Sequence, residues 1–454
     1  MLSDSDLLVL ENLTYCLDGN NAASANGLRP LCECSTVGEF LEQFSESILS
    51  QMDKRTGDTY GADSAAEWAA MIRYLKCNKE ICNLKVLDVN NMGILFENPQ
   101  DNTAIVAFRG TNGAEEWVDN VEGLIQADTK LQMEAYEYIE SLDYDNITVV
   151  GHSKGGNKAQ YVAIRSDKVN RCVAYDAQGF SQQFIDKYSV QIGENSWKVQ
   201  CYSLSSDFVH ILLYPLPGAS FTFVDLGTDV TSFEQNHSAN AIFTYYQDDN
   251  GYWHIAIDGN GNATLIDSQE SSEMSLLHNL VTFIMNNASE QELQEFVNLI
   301  GPLLSGMMAE GWNSEQIGAY LAQHPEELAT LISYVLHFVK LNNLTTKDLE
   351  RLLNCFGIDM YEMLKSLTGI SDKGILDSLI EKIFKFLTED DRDEPLVEFL
   401  LKAFGDEGAS IIALWHLIET NYNSIHPVND SSNYQSKIRD YSKKNIYDIR
   451  KSNE

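Results

Sequence analysis

A β-branched apolar run, Ile147 to Val150, feeds straight into Gly151-His-Ser-Lys-Gly155, and Asn157 to Arg165 behind it has the apolar spacing of a helix. Strand, sharp turn and helix in that order spell a nucleophile elbow, in which a serine sits at the turn between a buried strand and a helix. Only residues without bulk fit at the two flanking positions, and Gly151 and Gly155 occupy them. The bland alternative is a tight strand-to-helix turn with a solvent-facing serine. Flanks that agree on both sides favour the functional reading of Ser153.

Around this turn, residues 1–265 alternate short apolar runs with helical patterns, the signature of a mostly parallel α/β sheet covered by helices. Strands are expected over Met92–Glu97, Thr103–Phe108, Arg171–Tyr175, Lys198–Leu204 and Ser220–Asp225, and a helix over Asp128–Leu142. Ile242–Gln247 and Tyr252–Ile257 flank Asp248-Asp-Asn-Gly251, a hairpin signal. Asp258-Gly-Asn-Gly-Asn262 opens like a calcium loop but lacks the glycine and the bidentate glutamate that such a loop needs, so a plain turn is expected.

From about residue 266 to 430 the pattern becomes amphipathic helices, an all-α region. Ser289-x-x-Glu292 is a capping box, and the helix it opens is expected to be interrupted at Gly301-Pro302. Helices are expected over 314–323, 326–340, 346–356, 375–387 and 395–404, with Gly357, Gly369 and Gly374 as turn residues. The acidic run Glu389–Glu394 reads as a solvated loop, and residues 431–454 as a basic tail.

Acidic side chains outnumber basic ones 67 to 31, a formal charge of −36, so phosphate backbones and anionic lipid surfaces are repelled and nucleic-acid binding is not expected. No apolar run is long enough to be a transmembrane segment. The first twenty residues hold no Lys or Arg, hence no positive region of a secretory signal, and a cytoplasmic protein is expected. Eight cysteines occur without a CxxC pair and read as reduced structural thiols; no metal or other cofactor is expected.

A serine nucleophile needs a base, an acid to orient the base, and donors for an oxyanion. In the chain order Ser, Asp, His of this kind of fold, Asp207 ends the second strand after the elbow, and Asp176, ending the first, is the runner-up. His237 lies in the loop after the third strand and is the preferred base, with His254 and His210 as alternatives; His152 is a supporting residue. Oxyanion donors are expected from the backbone of Lys154, next after the serine, and from the loop Phe108-Arg-Gly-Thr111, where Gly110 lets the chain turn towards the serine.

Val106-Ala-Phe-Arg-Gly-Thr111, Glu116-Trp-Val-Asp119 and Gly151-His-Ser-Lys-Gly-Gly156, in that order, resemble the lipase class 3 pattern of the fungal-lipase-like α/β-hydrolases. Leu7-Leu-Val-Leu10 and Leu13-Thr-Tyr15 add a resemblance to a poorly characterised bacterial branch of that superfamily. The resemblance covers about residues 1–245. It implies Ser153, Asp207 and His237 as catalytic residues, Thr111 and Lys154 at the oxyanion hole, and Trp117 with Asp119 bracing the oxyanion loop. Family members often place that acid one residue later, where this chain has Asn120. The expected activity is cleavage of an acyl ester, on a smaller or intracellular ester rather than a triglyceride. A rival expectation is an interaction protein on a hydrolase scaffold, with the helical region binding a partner or a second copy.

Overall fold

Strands buried on both faces must be apolar throughout, and the centre of this protein is built that way. In the computed structural model, which describes residues 2–17, 21–55, 59–60, 63–111, 114–226, 236–388 and 409–427, a seven-stranded sheet runs in spatial order β1 to β7. Its strands are Lys85–Asn90 (β1), Gly93–Asn98 (β2), Thr103–Phe108 (β3), Ile147–His152 (β4), Val169–Tyr175 (β5), Val199–Leu204 (β6) and Ser220–Val224 (β7). The first three pair antiparallel, and β3 to β7 are parallel. This is an α/β-hydrolase-type sheet with flanking helices, followed by a helical C-terminal region. Strand β1 went unread in the sequence because its charged and half-exposed residues, among them Lys85 and Asp88, suit a sheet edge rather than an apolar run.

Alternate residues of each central strand enter two separate cores, as the pleat requires. Ile105, Ala107, Val150, Val173 and Tyr175 pack on one face with Leu7, Leu10 and Leu13 of the N-terminal segment and with Trp68, Ile72 and Leu75 of helix Ala65–Cys77. Val106, Phe108, Val149, Cys172 and Ala174 pack on the other with Ala135 and Ile139 of helix Lys130–Ser141 and Tyr161, Val162 and Ile164 of helix Lys154–Arg165. The hairpin forms between Tyr245–Gln247 and Trp253–Ile255, with Gly251 at φ +80° in its turn. Arg73 holds it from below, with both Asp53 oxygens at 2.9 and 2.7 Å and the Trp253 carbonyl at 2.9 Å. Asp258 forms a local turn, accepting the N–H groups of Asn260 and Asn262.

By its internal contacts the chain divides into two compact units, one holding the described parts of Met1–Thr111 and Gln126–Met274, the other those of Asn112–Ile125 and Ser275–Arg439. The second unit therefore takes helix Ala114–Glu122 from the middle of the first. Its own helices are Ser272–Asn287 (from residue 275), Glu290–Glu310, Ser314–Leu321, Pro325–Asn342, Thr346–Cys355, Met360–Thr368, Lys373–Thr388 and Ala409–Ser424. Ser289 caps as read, accepting from Glu292 N–H while the Glu292 carboxylate accepts from Ser289 N–H at 2.8 Å. Two details differ from expectation. The helix continues through Gly301-Pro302 to Glu310, because an exposed proline costs one bond to the Asn298 carbonyl without having to end the helix. Gly374 lies inside helix Lys373–Thr388, whereas Gly357 and Gly369 sit at turns with φ +67° and +74°. The expected helix 395–404, the acidic run 389–394 and the basic tail lie outside the described residues. Among the described residues, no helix is long and apolar enough to cross a membrane.

The core of the first unit is testable at Phe184, which is fully buried and stacks on Phe180 at 4.1 Å between ring centroids, with Tyr188 at 5.1 Å. Phe184→Ala should cost about 3–5 kcal/mol in urea unfolding of that unit; a loss under about 1 kcal/mol would contradict this packing.

Candidate active site

Parallel pairing brings the carboxyl ends of four strands to one edge. Phe108 pairs with Gly151, His152 with Tyr175, and Tyr175 with Tyr202. The ladder runs one bond further on each side: Ser153 N–H donates to the Tyr175 carbonyl and Asp176 N–H to the Tyr202 carbonyl, both at 2.9 Å. Residues that follow these strands, Gly110, Ser153, Asp176 and Asp207, are thereby delivered to the same rim, where open α/β sheets place their ligands.

Ser153 stands between β4 and helix Lys154–Arg165 at φ +56°, ψ −127°, a conformation that side chains rarely adopt. The flanking glycines are a steric necessity. A Cβ on Gly151 would lie 2.2 Å from the Gly155 carbonyl carbon, and one on Gly155 would lie 2.2 Å from the Phe108 oxygen. The turn exists because three backbone segments touch there.

The three residues expected to act together meet, although long stretches of chain separate them. His237 Nε2 lies 2.8 Å from Ser153 Oγ, and His237 Nδ1 lies 2.6 Å from Asp207 Oδ1. All three side chains are buried, Asp207 completely. The loop carrying His237 is pinned by Ala239, Ala241, Ile242 and Phe243, which sink into the core beside the N-terminal helices. Asp207 is held from the far side, its Oδ2 accepting the N–H groups of Val209 at 2.8 Å and His210 at 2.9 Å. Burial alone would raise the Asp207 carboxyl, but the charge and hydrogen bonds of His237 and His210 outweigh it and hold the group below the usual carboxylate range. Asp207 therefore stays ionised.

His210, one alternative base, turns away from the serine. Its Nε2 lies 3.0 Å from Glu270 Oε1 and its Nδ1 3.6 Å from Asp207 Oδ2. Burial lowers its pKa, yet those two carboxylates prevail and raise it. His254 sits in the hairpin beside Asp248, 3.4 Å away. His152 is buried at the end of β4, its ring 4.7 Å from the His237 ring and 5.1 Å from that of Tyr175, and its Nδ1 pairs with Tyr15 Oη at 2.5 Å. Burial, then the nearby His237, depress its pKa well below the usual value, so it is neutral.

The loop expected to carry an oxyanion donor lies against the nucleophile. A Cβ on Gly110 would be 3.6 Å from Ser153 Cβ, 3.3 Å from the His152 carbonyl and 2.8 Å from Tyr15 Oη, and Thr111 follows directly. Lys154 is the first residue of the helix, whose first hydrogen bond runs from Asn157 N–H to the Ser153 carbonyl. Trp117 and Asp119 are buried on helix Ala114–Glu122, as is Asn120. That segment belongs to the second unit.

Sequence reasoning passed over Tyr15 as a site residue, and over Glu11, whose carboxyl accepts from His152 N–H at 3.4 Å and is pushed by burial up to about 8. No spacing rule links residues 137 positions apart. Among the described residues, one metal-ligand grouping comes together: His152, Asp176 and His237 offer atoms within 4.8 Å of one another. Its chemistry runs against a cation, because both His237 nitrogens are already engaged and Asp176 is held protonated by burial and the Asp207 charge.

Residues 88–214, from β1 to the loop after β6, match the family model described as Mbeg1-like. No curated protein matches the chain. Among solved structures, the Lip2 lipase from Yarrowia lipolytica is similar over 50% of this chain and 86% of that one, at 13% identity and a TM-score of 0.27, an overlap too small to carry an argument.

The elbow generates a direct test. Gly155→Ala should destabilise the protein by at least about 1–3 kcal/mol, since the Phe108 carbonyl cannot give way cheaply. Gly193→Ala, in a helix where nothing lies within 4 Å, should be neutral or slightly stabilising. Equal melting temperatures for the two variants would overturn the packing argument.

Proposed function

We propose that the protein is a serine ester hydrolase that cleaves an acyl ester through an acyl-enzyme. The observation that carries this reading is the continuous chain of hydrogen bonds from Ser153 Oγ through His237 to the ionised, doubly anchored Asp207 carboxylate. A rim serine in strained backbone, an imidazole beside it and a buried anion behind are the parts that acyl transfer needs.

In the proposed reaction, His237 Nε2 takes the Ser153 hydroxyl proton as the oxygen attacks the acyl carbonyl carbon. Asp207 fixes the tautomer by accepting from Nδ1–H and stabilises the imidazolium without itself taking the proton. The tetrahedral oxyanion is met by the backbone N–H groups of Thr111 and Lys154, the latter at a helix N-terminus where the backbone dipoles favour negative charge. Collapse expels the alcohol, which receives the proton from His237. Water then enters, gives a proton to His237 and attacks the acyl carbon, releasing the acid and restoring Ser153. Every step uses groups of this chain. The proposed substrate class is an acyl or lipid-like ester, the proposed setting cytoplasmic, and the helical region is left the role of binding a partner or second copy.

Two measurements test the reading. A fluorophosphonate probe should label the native protein and not Ser153→Ala, and p-nitrophenyl ester hydrolysis over short to long acyl chains should fall by at least about 10³-fold in Ser153→Ala and His237→Ala. Undiminished labelling of Ser153→Ala would remove Ser153 as the nucleophile; a native protein that neither labels nor hydrolyses would favour the interaction-protein reading.

A further inference from the structure

Asp176 has no task in that reaction, yet it occupies the same rim. It ends β5, the strand between the nucleophile strand and the strand leading to Asp207, and its place in the chain also satisfies the order Ser, Asp, His. Its backbone is at φ +42°, beside Ser153 at +56°. The side chain is completely buried. Oδ1 accepts Leu204 N–H at 2.8 Å, and the hydroxyl of the neighbouring Tyr175 bonds to the same carboxyl. A carboxyl oxygen of Asp176 and a ring nitrogen each of His152 and His237 lie within 4.8 Å of one another. A completely buried carboxyl costs stability that an apolar side chain at the same place would not, so a tenant of this kind calls for a use.

We propose that Asp176 is a second positioning acid for His237, able to orient the imidazole and stabilise its charged form when Asp207 cannot. This rests on the hydrolase reading of Ser153 and His237 and deepens it. The titratable groups around Asp176 are Tyr175 on its own strand, His152 on β4, Asp207 after β6, and His237. Burial first, and then the negative charge of Asp207, keep the Asp176 carboxyl protonated well above the ordinary carboxylate range, so in the native site only Asp207 is charged. Two carboxylates this close do not both ionise readily. Neutralising Asp207 removes the repulsion and leaves His237 without its partner. Asp176, with a carboxyl oxygen within 4.8 Å of a His237 ring nitrogen, is then the carboxyl left to ionise and support the imidazolium.

The experiment is a double-mutant cycle of Asp176→Asn and Asp207→Asn with two readouts: the titration of His237 by NMR on protein carrying ¹⁵N-histidine, and the pH–rate profile for p-nitrophenyl esters. Asp207→Asn should keep His237 titrating about one pH unit or more above its value in the double variant. It should also hydrolyse about 10-fold or more faster than the double variant, along a profile with an added limb rising with pH as Asp176 loses its proton, a limb absent from the double variant. Should Asp207→Asn fail to fold, Asp207→Ser takes its place in the cycle. Identical His237 titrations in the Asp207 variant and the double variant would overturn the proposal. The NMR readout needs no turnover, so a native protein without activity would strike the hydrolase reading alone.

Discussion

The approach of the Gly155 backbone to the Phe108 carbonyl is the constraint on which the rest of the site depends. With a Cβ it would be a 2.2 Å collision; without one, helix Lys154–Arg165 starts hard against the ends of β3 and β4. That contact does three things together. It forces Ser153 into a positive φ, it aims the first turn of the helix at the rim, and it brings the Gly110 loop within van der Waals reach of the serine. The hydrogen-bond ladder continuing from β4 to β5 and from β5 to β6 then sets Asp176 and the Asp207 turn beside it.

Electrostatics divides the labour on that rim. Asp207 and Asp176 are equally inaccessible, and burial pushes both towards the neutral form. They part because of what surrounds them. Asp207 has two backbone donors and two histidines, and remains an anion; Asp176 has one backbone donor and faces that anion, so it keeps its proton. A neutral His152, its ring tilted against that of His237 and tied to Tyr15, adds no competing charge beside them. A single negative charge next to His237 is the condition under which an imidazole can accept a proton from a serine and keep its orientation.

How much of this could be read from the residues depends on whether the signal was local. The elbow was legible because strand, glycines and helix are contiguous, and β3 was read to its ends because its apolar run is bounded by turn residues. Asp207 and His237 were reached by chain order, and the structure brings them together with Ser153. What was not legible lies in pairs far apart in the chain: Tyr15 with His152, Glu11 with the β4 backbone, His210 with Glu270. The continuation of a helix through Pro302 was missed because propensity counts one lost hydrogen bond and not the neighbours that hold the helix together. The grouping of helix Ala114–Glu122 with the C-terminal helices leaves no trace in composition.

The measurement closest to the central claim is a rapid-quench reaction with p-nitrophenyl acetate, reading the p-nitrophenolate burst together with the mass of the protein and of its peptides. The account predicts a burst approaching one equivalent per chain and an acetyl group on the peptide containing Ser153, lost when His237 is replaced. Turnover with the acetyl group on any other residue, or with no covalent adduct under conditions that trap acyl-enzymes, would contradict it.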